Sequence, residues 1–177
     1  MKATLKLAAI LFLVCGLASG SLAFVNLATK DRIAAFAKEE QAASLKLLFP
    51  AAEEFRELDS GKDWDALSAG AAIGSVHRLS VNGYSGFITV VFGMDLEGKL
   101  TGVRVLLHTE TPGLGAKITT AGFTDQYVGR TLVEVVLKKD DPANGAIDAI
   151  AAATISSRAV TRAVHDAMSA ALAKGGQ

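Results

Sequence analysis

The chain has 177 residues, of which 50% are hydrophobic and 20% are charged, and its mean hydropathy is +0.34. This composition is too apolar for an ordinary soluble domain and argues against disorder, while the length is too short for a multi-span transporter with a large soluble part. Eighteen basic and eighteen acidic residues give no net charge, which argues against a nucleic-acid-binding protein. We therefore expect one principal domain with an appended element.

Cysteine and histidine usage argues against disulfides and metal centres. Cys15 is the single cysteine, so the chain has neither an intramolecular disulfide nor a cysteine-ligated zinc or iron–sulfur site. His77, His108 and His165 are not at metal-ligand spacing. The sequence predicts no metal site.

An uncharged apolar run occupies residues 7–29 and follows Lys2 and Lys6. A helix of this length, rising about 1.5 Å per residue, spans a bilayer core. A cleaved signal peptide is the alternative, although its apolar region is usually about 7–15 residues long. We predict one retained transmembrane helix, with residues 1–6 in the cytoplasm because the two lysines favour that side, and with the bulk of the chain outside.

Residues 30–70 are predicted to form a helical stalk and linker. Apolar residues recur at helical spacing through residues 31–48, and Pro50 ends this helix. Residues 51–69 combine acidic residues typical of helices with a Ser-Gly break at residues 60–61.

Residues 71–177 are predicted to form one α+β domain. The apolar period changes to two, which predicts strands at residues 73–81, 84–94 and 100–108. The pair Asn82-Gly83 favours a type I′ turn between the first two strands. The result is an antiparallel meander, which commonly has one covered face.

Three further elements are expected towards the carboxyl terminus. They are a short helix or turn at residues 122–129, a strand at residues 131–138 and a closing helix at residues 155–174.

Residues 108–117 differ from an ordinary connector. Pro112 breaks a strand, and Gly113 and Gly115 let backbone amides approach a ligand closely. The alternative is a well-made loop without a ligand.

Residues 148–158 form a second unusual segment. Thr154, Ser156 and Ser157 lie where the closing helix begins, and a helix N-terminus offers unpaired amides and partial positive charge to a phosphate. The alternative is simple capping of the helix by Thr154 or Ser156.

The sequence Glu110-Thr-Pro-Gly-Leu-Gly115, followed by Thr154-Ile-Ser-Ser-Arg158, resembles the FMN-binding domain of the RnfG subunit of the Rnf complex. That complex is an ion-translocating ferredoxin:NAD oxidoreductase, and the same domain occurs in the NqrC subunit of the sodium-pumping NADH:quinone oxidoreductase. Residues 123–129 also resemble the stretch that follows the first motif in the shorter Rnf subunits. The likeness covers most of the chain and implies a single-pass electron-transfer subunit.

In this family a flavin transferase esterifies FMN, through its phosphate, to a threonine. The resemblance implies that Thr154 is the attachment point, with Asp148 and Ser157 matching the acid and the closing hydroxyl of the family pattern. The chain departs from that pattern at Ala151 and Ala152, where the family usually has Ser and Gly. Alanine disfavours the positive φ that glycine adopts readily.

The resemblance implies further cofactor-binding residues from both motifs. They are Ser156, Ser157, Glu110, Thr111, Gly113, Leu114 and Gly115. Ser156 and Ser157 are expected to donate hydrogen bonds to the phosphate, and Thr111 and Leu114 are expected to lie near the flavin.

Three neighbouring polar residues have secondary roles in this interpretation. Glu110 is expected to brace its loop through backbone amides rather than act as a general base. His108 and Lys117 are candidates for favouring the reduced flavin, and the alternative for each is a polar surface residue.

The resemblance thus implies a redox subunit with one covalent FMN, anchored in the cell membrane with its FMN domain on the outer side. Its implied partners are other integral-membrane and redox subunits and, during maturation, a flavin transferase. No dinucleotide-binding fingerprint is present, so NAD is left to a partner. The alternatives are a stand-alone exported FMN-domain redox protein and a non-redox assembly or scaffold subunit that lacks flavin.

Overall fold

A computed structural model describes residues 2–59 and 61–175. Met1, Ser60, Gly176 and Gln177 lie outside the described residues, so the expected break at residues 60–61 is described only from its second residue. The chain divides into two compact units, Met1–Glu40 and Gln41–Gln177.

The first unit is formed by helix α1, which spans Lys2–Leu48 and also supplies the first residues of the second unit. From Thr4 onwards this helix is long and apolar enough to cross a membrane. Its large apolar side chains within residues 7–29 are exposed, among them Phe12 and Phe24. A continuous helix satisfies its backbone hydrogen bonds internally, as a lipid environment requires.

The second unit contains a five-stranded antiparallel sheet in which the strands follow one another in chain order. The strands are β1 (Glu54–Asp59), β2 (Asp63–Ser68), β3 (Ala71–Asn82), β4 (Phe87–Asp95) and β5 (Leu100–His108). The α+β class and the antiparallel meander are therefore confirmed.

The predicted helical linker up to residue 70 is wrong for β1 and β2, which form one edge of the sheet. Most side chains of β1 are exposed on both faces, so its sequence has little period-two signal. In β2, Trp64 and Ala66 are buried. Such alternation is typical of a strand, but here it involves only two buried residues, which is too short a pattern to predict a strand.

The turn between β3 and β4 also differs from the prediction. Asn82 pairs with Phe87, and the amide of Gly83 donates to the carbonyl of Gly86 at 2.8 Å, so the loop holds four residues instead of a two-residue type I′ turn. Tyr84 belongs to this loop, and β4 begins only at Phe87.

Strand β4 is buried on both faces, whereas one covered face is the common arrangement for a meander. Its residues Ile88, Val90, Phe92 and Met94 join a core that includes the closing helix α3 (Thr154–Gly175). On the other face, Val91 joins a core with Leu45, Leu48 and Phe49 at the end of α1.

The segment after β5 is mostly irregular. It contains 3-10 turns at Gly115–Thr119, Asp125–Tyr127 and Leu132–Glu134 and a one-turn helix α2 at Ala121–Thr124. The short helix or turn expected at residues 122–129 is confirmed, as is the closing helix.

The strand predicted at residues 131–138 is wrong. Glu134 accepts hydrogen bonds from the backbone amide and the hydroxyl of Thr131, at 3.0 and 2.8 Å, and this holds a 3-10 turn. The segment contributes only an isolated bridge between Leu137 and Ile147. A local side-chain cap outcompetes the extended conformation that its valines favour.

Candidate functional site

Three segments of the second unit meet around a pocket of about 370 Å³. They are the β3–β4 loop, the loop that follows β5 and the turn that leads into α3. The pocket is lined by Tyr84, Glu110, Thr111, Leu114, Gly115, Ala152, Ala153, Thr154, Ile155 and Ser156. Both unusual sequence segments therefore contribute to one site.

Glu110 connects the three segments. This residue is 4% exposed, and its Oε1 accepts hydrogen bonds from the backbone amides of Tyr84 and Ser85, at 2.8 and 3.1 Å. Its Oε2 accepts a hydrogen bond from the Ser156 hydroxyl at 2.7 Å. Three donors offset the desolvation of this buried charge, which forms no ion pair with the described lysines and arginines.

Glycines let the backbone pack closely around this carboxylate. A Cβ atom added at Gly115 would lie 2.5 Å from Oε2 of Glu110 and 2.9 Å from its Cβ. A Cβ atom at Gly83 would likewise collide with Oε1 of Glu110. Any larger residue at either position would displace the bracing carboxylate.

The hydroxyls at the start of α3 have different environments. The Ser157 hydroxyl is fully buried; it donates to the carbonyl of Ala153 at 2.9 Å and accepts from the amide of Ile150 at 3.0 Å. Ser156 is 1% exposed and donates to Glu110. Half-buried Thr154 lines the pocket, and its hydroxyl has no hydrogen-bond partner among the residues that the structure describes.

The turn before α3 contains a residue in an unusual conformation. Ala152 has a φ of 62°, in the left-handed region that alanine rarely adopts. The resemblance described above implies glycine at this position. Alanine thus follows the backbone path that glycine would take, with local strain.

Some residues of the loop after β5 line the pocket, and others do not. Thr111 and Leu114 line it, and the carbonyl of Thr111 accepts from the amides of Leu114 and Ala116, at 3.3 and 3.1 Å. Gly113 has a φ of 78° and does not line the pocket. Its role is to let the loop turn.

Two candidate residues lie outside the lining. The Nδ1 atom of His108 accepts a hydrogen bond from the amide of Glu110 at 3.2 Å, which leaves the ring proton of a neutral imidazole on Nε2. Lys117 is exposed and forms no ion pair within the described chain. The structure brings neither side chain to the pocket wall.

Asp148 is also separate from the pocket. Its carboxylate forms an exposed ion pair with Lys138 at 2.6 Å, and its amide donates to the side-chain carbonyl of Gln126 at 2.7 Å. These contacts fix the segment that leads to the site. No group of three or more potential metal-ligating side chains occurs within residues 2–59 and 61–175.

Nothing in the sequence near Tyr84 or Ile155 predicts that these two residues line the pocket. Tyr84 and Ile155 are apolar pocket walls that are 70% and 54% exposed. Large exposed apolar side chains beside a pocket indicate a ligand or a partner surface. The position of Tyr84 depends on Glu110, 26 residues away, so only the tertiary structure reveals it.

The walls of the pocket suit a planar aromatic group joined to a phosphate. Tyr84, Leu114 and Ile155 offer apolar surface, while the unpartnered Thr154 hydroxyl lies at the first residue of α3. Helix N-termini stabilise anions. The residues present therefore fit a flavin phosphate.

Comparisons with known proteins show which families this chain is similar to. The model of the FMN-binding domain matches residues 83–169, and the model of the RnfG N-terminal region matches residues 1–48. The chain is similar to the RnfG subunit of the ion-translocating oxidoreductase complex of Methanosarcina acetivorans, with 31% identity and 94% of each chain covered. The same subunit of Pseudomonas aeruginosa is 35% identical, with 94% of this chain and 88% of the relative covered.

Two solved structures share the fold. The NqrC subunit of the Na⁺-translocating NADH-quinone reductase from Parabacteroides distasonis has a TM-score of 0.51 at 21% identity, over 59% of this chain and 57% of that one. NqrC of Shewanella oneidensis has a TM-score of 0.50 at 20% identity, over 66% and 65%.

Proposed function

This chain belongs to the RnfG family of ion-translocating oxidoreductase subunits, and from that membership we propose that it carries one FMN, joined through its phosphate to Thr154. As a family member it is a membrane subunit that transfers electrons within an Rnf-type complex. Its partners are therefore other subunits of such a complex.

One observation carries the choice of Thr154. The hydroxyls of Ser156 and Ser157 already donate within the protein, to Glu110 and to the carbonyl of Ala153. Thr154 lines the pocket, and its hydroxyl has no partner in the described chain. It is thus the acceptor whose modification breaks no hydrogen bond of the fold.

The chain's own residues provide position and electrostatics. The N-terminus of α3 would stabilise the remaining negative charge of a phosphoester at Thr154 by roughly 0.3–1 kcal/mol. Tyr84, Leu114 and Ile155 would offer apolar surface to an aromatic ring. When bound, FMN supplies the electron transfer, which none of the lining side chains provides by itself.

We propose that Ser156 and Ser157 stabilise the fold instead of donating to the phosphate, which is the role that the sequence predicts for them. Because Ser156 and Ser157 donate elsewhere, backbone amides at the start of α3 are the donors left for the phosphate. Glu110 accepts from the amides of Tyr84 and Ser85, so it braces the β3–β4 loop and not, as expected from the sequence, the loop that contains it.

We place the amino terminus in the cytoplasm and the FMN-binding domain on the outer side of the membrane. Lys2 and Lys6 support this orientation, because lysines near a membrane segment favour the cytoplasmic side. A flavin attached covalently cannot dissociate there, where no cytoplasmic FMN pool replaces it. A flavin transferase on the same side is the implied maturation partner.

The test is the intact mass of the protein purified from its native membrane. The wild-type chain is expected to gain the mass of FMN minus water, and Thr154→Ala is expected to lack this gain. Thr154→Ser, which keeps a hydroxyl, is the matched control and is expected to retain some flavin. A bare wild-type mass, without flavin fluorescence after denaturing electrophoresis, would contradict covalent attachment and favour the scaffold alternative.

Co-purification addresses the other alternative. In mild detergent the protein is expected to purify with integral-membrane redox subunits. A flavin-loaded protein that purifies alone would instead support a stand-alone redox carrier.

A further inference from the structure

Three residues near Thr154 are buried in the folded domain, although its neighbour Ile155 is 54% exposed. Ala153 is 7% exposed, Ser156 is 1% exposed and Ser157 is fully buried. An enzyme that forms a bond at the Thr154 hydroxyl must bring the flanking backbone into its own active site. In the folded domain, the part of this segment formed by Ala153, Ser156 and Ser157 is covered by the protein itself.

Hydrogen bonds hold the same residues in place. We call residues 150–157 the acceptor clasp. The Ser157 hydroxyl joins the amide of Ile150 to the carbonyl of Ala153, at 3.0 and 2.9 Å, and the Ser157 amide also donates to that carbonyl at 3.0 Å. From outside the clasp, Glu110 accepts from Ser156 at 2.7 Å.

The clasp also contains strain that favours its opening. Ala152 has a φ of 62°, which is unfavourable for a residue with a Cβ atom. Opening lets Ala152 relax, while it breaks the bonds of Ser156 and Ser157. The buried bond to the Glu110 carboxylate is the strongest single contact that opposes opening, because bonds to charged groups exceed neutral ones.

We propose that the flavin is transferred to Thr154 only while the acceptor clasp is open, and that the Glu110–Ser156 hydrogen bond limits how often the folded chain opens. This inference rests on the proposed attachment at Thr154. Modification thus precedes closure of the clasp during folding, or it waits for a local opening. After closure, the buried clasp holds the modified residue at the pocket.

The transfer step itself involves no change of oxidation state. The Thr154 Oγ attacks the flavin-side phosphorus of a flavin phosphoanhydride such as flavin adenine dinucleotide. A new P–O bond to Thr154 forms, the phosphoanhydride bond breaks, and the nucleoside monophosphate leaves while the hydroxyl proton passes to the enzyme's base. Because the Thr154 hydroxyl already has no partner in the described chain, opening is needed for the enzyme to bind the flanking buried residues.

The experiment compares rates of flavin transfer by a purified flavin transferase with flavin adenine dinucleotide. The acceptors are the full-length flavin-free chain in detergent, its Glu110→Ala variant and a peptide of residues 146–160. Glu97→Gln, a carboxylate change in the exposed β4–β5 turn, is the matched control. Modification is followed by intact mass.

We expect the peptide to be modified fastest and the folded wild-type chain at least about tenfold more slowly. Glu110→Ala should raise the rate of the folded chain about tenfold, because it removes the bond to Ser156. Glu97→Gln should match the wild-type rate.

A second measurement does not depend on the folding of a variant. Amide hydrogen exchange at Ser157 reports the fraction of wild-type molecules in which the clasp is open. The rate for the folded chain, divided by the rate for the peptide, should equal this fraction. A folded chain modified as fast as the peptide would overturn the inference and leave the attachment site intact.

Failure of the attachment itself gives a different result. If neither the peptide nor any full-length chain gains mass, Thr154 is not an acceptor and both proposals fall.

Discussion

The methyl group of Ala152 makes the turn before α3 less stable, because this residue has a positive φ. Among the described residues, it and Ala69 are the non-glycine residues with positive φ. A left-handed conformation costs an L-residue with a Cβ atom roughly 1–2 kcal/mol. The structure retains the conformation despite the alanine, because Ser157 ties both sides of the turn together.

We therefore expect Ala152→Gly to raise the free energy of unfolding by about 1 kcal/mol, since relief of strain exceeds the extra entropy of glycine in the unfolded chain. Urea unfolding followed by circular dichroism measures this difference. Ala151→Gly is the control, because Ala151 has no positive φ and glycine there should lower stability slightly. Equal losses in both variants would show that Ala152 is not strained.

At the scale of elements, the 3-10 turn at Leu132–Glu134 depends on one carboxylate. The hydrogen bonds from the amide and hydroxyl of Thr131, followed by the bond from Arg130, lower the pKa of Glu134 to about 2. A depressed carboxyl pKa means that the folded state is favoured when the group is ionised. The turn takes the place of a strand, and it links β5 to α3 through residues next to the core.

The stabilisation by Glu134 should therefore depend on pH. It is fully present above the ordinary carboxyl pKa of 4.5, and it is lost as the pH falls from there towards about 2. The difference in free energy of unfolding between wild type and Glu134→Gln should shrink over this range. Urea unfolding at several pH values measures it, and Glu40→Gln on exposed α1 is the control. A difference that stays constant down to about pH 2 would contradict this role.

A second element-scale connection joins the 3-10 turn Asp125–Tyr127 to the closing helix. The Tyr127 hydroxyl lies 2.8 Å from the Thr161 hydroxyl, which itself donates to the carbonyl of Ser157 at 2.8 Å. Burial raises the pKa of Tyr127, so its hydroxyl stays protonated and donates to Thr161. This chain of hydrogen bonds supports the first turn of α3 from beneath the site.

At the scale of the whole molecule, both hydrophobic cores belong to the second unit. The last turn of α1 supplies Leu45 and Leu48, and Phe49 follows it. A Cβ atom added at Gly74 would lie 2.6 Å from Cε1 of Phe49. The ring of Phe49 therefore packs directly against the backbone of β3 at this glycine. The first unit supplies no described residue to either core.

A chain that begins at Gln41 should therefore fold in water without detergent. We expect its thermal unfolding midpoint to match that of the second unit in the full chain, as followed by circular dichroism. A chain that begins at Ala51 is the informative comparison, because it lacks three buried side chains worth roughly 1.5–3 kcal/mol each. Aggregation of the first fragment would show that the fold needs residues before Gln41.

The sequence predicts some of the candidate cofactor-binding residues but not the contacts between them. The two motifs identified Glu110, Thr111, Leu114, Gly115 and Thr154, all of which line one pocket. The pairing of Glu110 with Ser156 spans 46 residues, and no local pattern predicts it. The resemblance implies that Ser157 donates to the phosphate, whereas in the structure its hydroxyl holds the backbone of the turn.

The sequence by itself determined α1, β5 and α3, because a long apolar run, a period of two and a period of 3.6 are local signals. The tertiary structure alone decided that residues 54–68 join the sheet and that residues 131–138 do not form a strand. It also decided which hydroxyl remains free, since that depends on partners distant in the chain. Apolar periodicity is a local property of the sequence and indicates which face of an element is buried. Hydrogen bonds between distant segments depend on how those segments pack in the folded chain.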